Sequence, residues 1–447
     1  MGAVPEKVML VSLGCDKNLV DSEMMLGCLA EAGFTLCDAP EEADAVIVNT
    51  CCFIQDAKEE SIDTLIEMGR LKAEGKLKLL IAAGCLAQRY AEEIKKELPE
   101  VDAIVGTSAF DHIAEVLRSA FDGKPKDAME TLSRPLYGLK RVLSTGGHYA
   151  YLKIAEGCDK RCSYCAIPQF RGHYRSVPME KLLAEAEELV RGGVRELILV
   201  AQETTRYGID LYGKKSLCEL LRGLCAIEEL AWIRLLYCYP EELDDELIET
   251  IATEKKICHY LDMPIQHSED RILSAMGRAS RRAELTETIE KLRARIPDIC
   301  LRTTLLTGFP GETEEEFEAL KEFVRNTRFD RLGVFAYSAE EGTAAAEMTG
   351  QLPDEVKCAR RDALMELQQD IVFENGRRMA GQTLECMVEG RLPEEGVLVL
   401  RSFRDAPEVD GYVFVKGEGE YMSGTILRVR ISGSEEYDLI GEIDEPS

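Results

Sequence analysis

Four apolar runs punctuate the first 120 residues: KVMLVSLG, ADAVIVNT, LKLLIAAG and VDAIVG. Helix-patterned stretches such as LVDSEMMLGCLAEAG and AKEESIDTLIEMGRLKAEG separate them. A strand that is apolar at every position has no face to offer water, so it must be covered on both sides. Intervening helices can do this when the strands run parallel. Residues 1–120 are therefore predicted to form a doubly wound α/β sheet.

The first three runs each end in a cysteine: Cys15, Cys51 and Cys85. The C-terminal strand ends of an open α/β sheet meet at one crevice, where ligands bind. The three thiols are expected to converge there. Three thiolates with no evident fourth ligand predict an iron–sulfur cluster with one open iron. Cys52 is adjacent to Cys51, so its side chain should point elsewhere along an extended chain.

The alternation lapses over residues 121–148, which are rich in Gly, Pro, Ser, Thr and charge and read as a linker. It resumes at Tyr149 with YAYLKIAE, RELILVAQ, WIRLLYCY, HYLDMPIQ, CLRTTLLTG and RLGVFAYS. Six β/α units are too few for a closed eight-unit barrel. They predict a partial (β/α)6 barrel over 149–375, with its functional face at the strand C-termini. Residues 353–380 read as one long charged helix. Five short strands with Gly and Pro turns then predict a small antiparallel β-barrel over 376–447.

A second cysteine set follows the first strand of the middle region. EGCDKRCSYC places Cys158, Cys162 and Cys165 in one tight loop at C-x3-C-x2-C spacing. Three ligands on a four-iron cube leave one iron free to chelate a small reactant. The competing reading is a zinc knuckle completed by a distant ligand such as His173.

Composition narrows the partners. The formal net charge is -28, which opposes binding to phosphate backbones and suits a basic partner. No apolar run approaches the roughly 18 residues of a membrane span. The opening MGAVPEKVMLVSLGC lacks a basic segment followed by a separate apolar one, so no signal peptide is read. Sixteen cysteines then point to a reducing, cytoplasmic setting, ten of them as core thiols. Trp232 is expected in the core, and His267 reads as a polar residue satisfied by its neighbours.

C-x3-C-x2-C at the start of a partial barrel resembles the radical S-adenosylmethionine superfamily. The three-cysteine N-terminal region is similar to that of its methylthiotransferases, and the terminal barrel resembles a TRAM domain. SLGCDKNLVDSE, NTCCFIQDAKEES, DMPIQHSEDRILSAMGR, GFPGET and AYSAEEGTAA resemble the branch that modifies an aspartate of ribosomal protein S-twelve. Where the transfer-RNA branch has Q-S-G-S, this chain has Gln266-His267-Ser268-Glu269. From Gly376 onward, 8 Lys and Arg stand against 15 Asp and Glu, a net charge of -7. An RNA-gripping barrel should be basic. In RSVPME, Val177 stands where the resemblance suggests a second basic residue.

The resemblance implies two [4Fe-4S] clusters and S-adenosyl-L-methionine, with Cys158, Cys162 and Cys165 serving radical generation. Cys15, Cys51 and Cys85 would hold the sulfur-donating cluster, while a second S-adenosylmethionine supplies the methyl group. Tyr164 is implied beside the adenine, and Gln202 and Glu203 near the methionine amino group. Gly308 and Gly311 of GFPGET would let backbone approach the cofactor, and Glu312 could bind it or cap a helix. The implied partners are ribosomal protein S-twelve or the small ribosomal subunit, and a flavodoxin or ferredoxin as electron donor. The alternatives are methylthiolation of a transfer-RNA adenosine and a non-catalytic iron–sulfur or zinc scaffold.

Overall fold

The structure, a computed structural model, describes residues 6–417 and 419–444. The first five residues of the N-terminus, read above for a leader, lie outside the described residues, as do the last three of the terminal barrel segment.

The N-terminal runs form β1 (Lys7–Ser12), β3 (Ala45–Thr50), β4 (Leu79–Ala83) and β5 (Ala103–Val105), with a short β2 (Thr35–Leu36). All pair in parallel in the order β2-β1-β3-β4-β5. Two apolar clusters cover the two faces. Helices Asp16–Glu31 and Ile113–Phe121 contribute Met25, Leu29, Ile113 and Leu117 to one. Helices Gln55–Ala73 and Ala91–Glu97 contribute Leu65, Met68 and Ile94 to the other. The doubly wound expectation holds because β3 and β4 are buried at every position.

Residues 122–148 carry no helix or long strand, but side chains pin them down. Arg134 pairs with Asp111 at 2.5 Å, and buried Arg141 bridges Glu23 at 2.5 Å and Glu185 at 2.7 Å.

The middle sheet contains β6 (Tyr149–Lys153), β9 (Glu196–Val200), β10 (Trp232–Leu235), β11 (Ile257–Asp262), β12 (Cys300–Thr307) and β13 (Arg331–Ala336). They lie in sequence order and parallel, an open six-stranded barrel. Between β6 and β9, a small ladder of β7 (Ala155–Glu156) and β8 (Arg175–Ser176) brackets the cysteine loop. Helices cover the convex face over a large apolar core. The concave face packs Tyr149, Tyr151, Ile198, Trp232 and Tyr260 against Val20 and Met24 of the first helix and Met387 and Ala406 of the terminal domain. The open side of the barrel is thus filled by its two neighbours.

Helix Asp354–Arg378 leads to β14 (Thr383–Leu392), β15 (Val397–Ser402), β16 (Val413–Lys416), β17 (Ile426–Glu435) and β18 (Asp438–Ile443), which close a barrel. The sequence predicts an antiparallel barrel, but β16 and β18 pair in parallel, Val413 opposite Leu439. Strands of alternating direction cannot close a ring of odd number without one parallel pair. A buried ion cluster docks this barrel: Glu196 takes Arg234 at 2.8 Å and Arg401 at 2.5 Å, and Glu389 takes Arg401 at 2.9 Å. Each charge is compensated there, as burial requires.

Candidate active site

β1, β3 and β4 are neighbours, so the cysteines that follow them gather at one sheet end. Cys15 is the N-cap of helix Asp16–Glu31. The positive end of that helix favours negative charge at the site. Cys51 follows β3, and Cys85 lies in the short helix Gly84–Arg89. Gly14, with φ 89°, lets the Cys15 turn close on Cys51; a Cβ there would lie 2.6 Å from Cys51 Cβ. Burial pushes the Cys51 thiol up and the Cys85 thiol well up, and the neighbouring thiols of the triad add to both. Three thiols whose anions repel one another out of water suit a cationic metal cluster. Cys52 faces the apolar side of the sheet with Leu65 and Leu86 instead.

Cys158, Cys162 and Cys165 share the loop after β7. Gly157, with φ 79°, abuts the backbone of Gly172 and His173, and the Cys158 N–H donates to Gly172 O at 3.1 Å. The Ser163 N–H donates to Met276 O at 2.9 Å and the Ala345 N–H to Ser163 O at 2.8 Å. Burial raises the Cys158 thiol to about 11 and the Cys165 thiol to about 12, with repulsion from Cys162 contributing to each. His173 points away: its side chain is 91% exposed and bonded to Asp159 at 2.8 Å. Among the described residues, no three His, Cys, Asp or Glu side chains converge as a single-ion site would require. With His173 turned to solvent, three thiols in each set suit an iron–sulfur cube with an open iron better than a four-ligand zinc knuckle.

The other candidates surround this loop. Tyr164 packs beside Ile272, Met276 and Phe309. Gln202 donates to Glu156 at 2.8 Å, leaving its Oε1 buried without a partner. Glu203 Oε1 is likewise buried without a hydrogen bond, 3.7 Å from Lys160 Nζ, and burial pushes its carboxyl up to about 7. Two orphan acceptors beside the thiols are what an ammonium donor would satisfy. Gly308 and Gly311 adopt φ 71° and 77° after β12. Glu312 is spoken for by the protein: it accepts from the Gly308 N–H at 2.8 Å and the Phe309 N–H at 3.2 Å, and pairs with Arg360 at 2.8 Å. It holds the GFPGET turn rather than facing a ligand.

Sequence reasoning missed the cations of the site. Buried Arg171 donates to Cys85 Sγ at 3.2 Å, Asn18 at 2.5 Å, Asp21 at 2.6 Å and Glu156 at 3.0 Å. It sits one short helix past Cys165 and next to Gly172, so it joins the two triads. Lys160, inside the C-x3-C loop, pairs with Glu242 at 2.9 Å and Glu241 at 3.3 Å. Its place between two cysteines of the motif was the available signal; Arg171 offered none. Val177 is buried in the main core, where a basic residue would be costly. His267 is buried and held neutral by desolvation, its Nε2 without a partner. Of the ten other cysteines, Cys52, Cys238, Cys258, Cys300 and Cys386 are buried; the remaining five are half-buried, fewer core thiols than expected.

A cavity of about 400 Å³ opens between these parts, lined by Cys15 and Asp16, by Tyr237 and Arg302 of the barrel, and by Pro407 and Glu408 of the terminal domain. All three regions of the chain meet at this one space.

Residues 7–106 match the uncharacterized protein family UPF0004, residues 152–324 the radical SAM superfamily and residues 380–443 the TRAM domain. The chain is 57% identical, over 97% of its length and 99% of the relative's, to ribosomal protein uS12 methylthiotransferase RimO of Lachnoclostridium phytofermentans. It is 51% identical to the protein of that name from Pelotomaculum thermopropionicum, covering 98% and 99% of the two chains. The chain belongs to the ribosomal protein uS12 methylthiotransferase family. Membership of this radical SAM family implies a [4Fe-4S] cluster and S-adenosylmethionine. The fold is shared with the radical S-adenosylmethionine methyltransferase TsrM from Kitasatospora setae, at TM-score 0.55 and 15% identity, covering 74% of this chain and 72% of that one. The cobalamin-dependent S-adenosylmethionine radical enzyme OxsB superposes at TM-score 0.52 and 11% identity, covering 81% and 56%. No helix among the described residues is long and apolar enough to cross a membrane.

Proposed function

We propose that this chain is a radical S-adenosylmethionine methylthiotransferase that modifies the β-carbon of an aspartate in ribosomal protein uS12. The observation that carries this reading is the link between two cysteine triads through one short segment: Arg171 donates to Cys85 Sγ at 3.2 Å and the next residue, Gly172, accepts from the Cys158 N–H at 3.1 Å. Cys158, Cys162 and Cys165 would hold one [4Fe-4S] cluster and Cys15, Cys51 and Cys85 a second. Bound there, the clusters and S-adenosylmethionine supply a 5′-deoxyadenosyl radical, a sulfur and a methyl group, chemistry that protein acid–base groups cannot provide.

The chain's own residues position and shield. Gln202 Oε1 and Glu203 Oε1 are free to accept from the methionine ammonium. Tyr164 offers an aromatic edge for adenine, and Gly311 leaves room on that side, whereas Gly308 packs against Lys357 of helix Asp354–Arg378. Arg171 balances charge at Cys85, and the terminal-domain loop at Pro407 and Glu408 forms one wall of the cavity. A net charge of -28 suits a basic ribosomal protein and opposes a transfer RNA. We place the reaction in the cytoplasm, with a flavodoxin or ferredoxin as electron source.

The test is mass spectrometry of uS12 after anaerobic incubation with reconstituted enzyme, reductant and S-adenosylmethionine. A methylthio group on aspartate is expected; an unmodified protein beside a modified transfer RNA would overturn the substrate.

A further inference from the structure

The cavity carries a charge pattern that the proposed chemistry leaves unexplained. Its lining contains three carboxylates, Asp16, Asp262 and Glu408, and one cation, Arg302. Asp16 is already paired with Lys17 at 2.9 Å, so Arg302 is the cation that the lining itself offers to an anionic side chain. Arg302 stands on β12, and its Nη1 donates to Asp262 Oδ1 at 2.7 Å across to β11. Among the described residues, this is its one side-chain hydrogen bond. Asp262 is itself fixed: it is 1% exposed and accepts from the Tyr237 N–H at 3.0 Å. A guanidinium has five N–H donors in a rigid plane, so most of those on Arg302 remain for a ligand, and its side chain is 22% exposed. Burial opposes its charge, but Asp262, Tyr260 and Asp410 outweigh burial and keep it protonated.

We infer that Arg302 forms a carboxylate subsite that grips the side chain of the substrate aspartate and sets its β-carbon against the Cys15 wall. The inference rests on the protein-substrate reading above. Asp262 acts as the anchor that fixes the plane of the fork, which leaves its free edge suited to a two-point bond with a second carboxylate. Glu408, which accepts from the Tyr149 hydroxyl at 2.9 Å, lines the same cavity and suits a basic residue beside the target. An uncharged asparagine loses the ionic pairing with Arg302 and is discriminated against, although its shape is the same.

The experiment measures equilibrium binding of labelled intact uS12 to the anaerobically reconstituted full chain, with the target aspartate present or replaced by asparagine. Wild-type enzyme is expected to favour the aspartate form by about tenfold or more. Arg302→Gln should bind both forms alike, at the weaker level. Arg302→Lys, which keeps the charge and loses the fork, should retain part of the preference. Asp262→Asn, which keeps Arg302 and loosens its anchor, should reduce the preference without erasing it. Iron content and circular dichroism report whether each variant is folded, and a failure of Arg302→Gln to fold leaves the other two variants to decide. An undiminished preference in Arg302→Gln, or in both Arg302→Lys and Asp262→Asn, overturns the inference while the substrate reading stands. A wild-type enzyme that modifies transfer RNA and ignores both forms of uS12 overturns both.

Discussion

The two cysteine triads differ in what holds them. Cys158, Cys162 and Cys165 occupy one loop of eight residues, tied down by backbone bonds to Gly172, Met276 and Ala345. Cys15, Cys51 and Cys85 stand 36 and 34 residues apart, and adjacent strands of a buried sheet bring them together. The first is a local device that a short motif can encode. The second exists only once the N-terminal sheet has formed, and its geometry inherits every change in that sheet. Arg171 belongs to the first by chain position and to the second by its bond to Cys85.

Removing one cysteine from each triad breaks the comparison most strongly. Cys158→Ala should abolish cleavage of S-adenosylmethionine and all product, whereas Cys15→Ala should spare cleavage and stop methylthiolation. Chromatographic assay of 5′-deoxyadenosine and iron analysis separate them, with iron falling from about eight to about four per chain in each.

Next come the cations. Arg171→Met leaves the two buried carboxylates of Asp21 and Glu156 with Lys153 as their shared cation, so one negative charge loses its partner, a loss of about 3–5 kcal/mol in unfolding free energy. Lys160→Met should cost less, about 1–3 kcal/mol, because Lys160 and its partners Glu241 and Glu242 keep some contact with solvent. Denaturant titration of both cluster-free variants gives the order, and equal losses would contradict it.

Glu203 makes the loop triad sensitive to pH. Its carboxyl is raised from 4.5 to about 7, so the folded cluster-free chain holds a proton that the unfolded chain releases earlier. Stability therefore falls as pH rises through that window, by about 3 kcal/mol in total, and levels off above it. The wild type minus Glu203→Gln difference in unfolding free energy should show this slope; a flat difference would remove the assigned burial effect.

A last pair of changes separates the two turns. Gly14→Ala and Gly157→Ala each force a side chain into a left-handed backbone, at about 1–3 kcal/mol, to which the contact of the new Cβ with Cys51 or with the His173 carbonyl adds. The first should deplete iron at the sheet-built triad alone and the second at the loop triad alone, as electron paramagnetic resonance of the reduced protein would report.

Much of this was legible before the fold was known. Buried parallel strands must be apolar throughout, so β3 and β4 announce themselves, and cysteines at their ends follow. The alternation at 149–336 gave all six strands of the open barrel. The terminal barrel was legible in its strand count but not in its pairing, because register and direction depend on which strands meet at closure. Glu312 read equally as ligand contact or cap; only the positions of Gly308, Phe309 and Arg360 show it filled by the protein.

Hydrophobic period, cysteine position and composition belong to the sequence, and by themselves they determined the α/β architecture, the loop thiols and the acidic character that suits a basic partner. The tertiary structure alone decided which charges face which. Arg171 against Cys85, Arg302 against Asp262 and Arg401 against Glu196 join residues 86, 40 and 205 positions apart. No periodicity records such pairs, because a charge is placed by whatever must compensate it once water has been excluded.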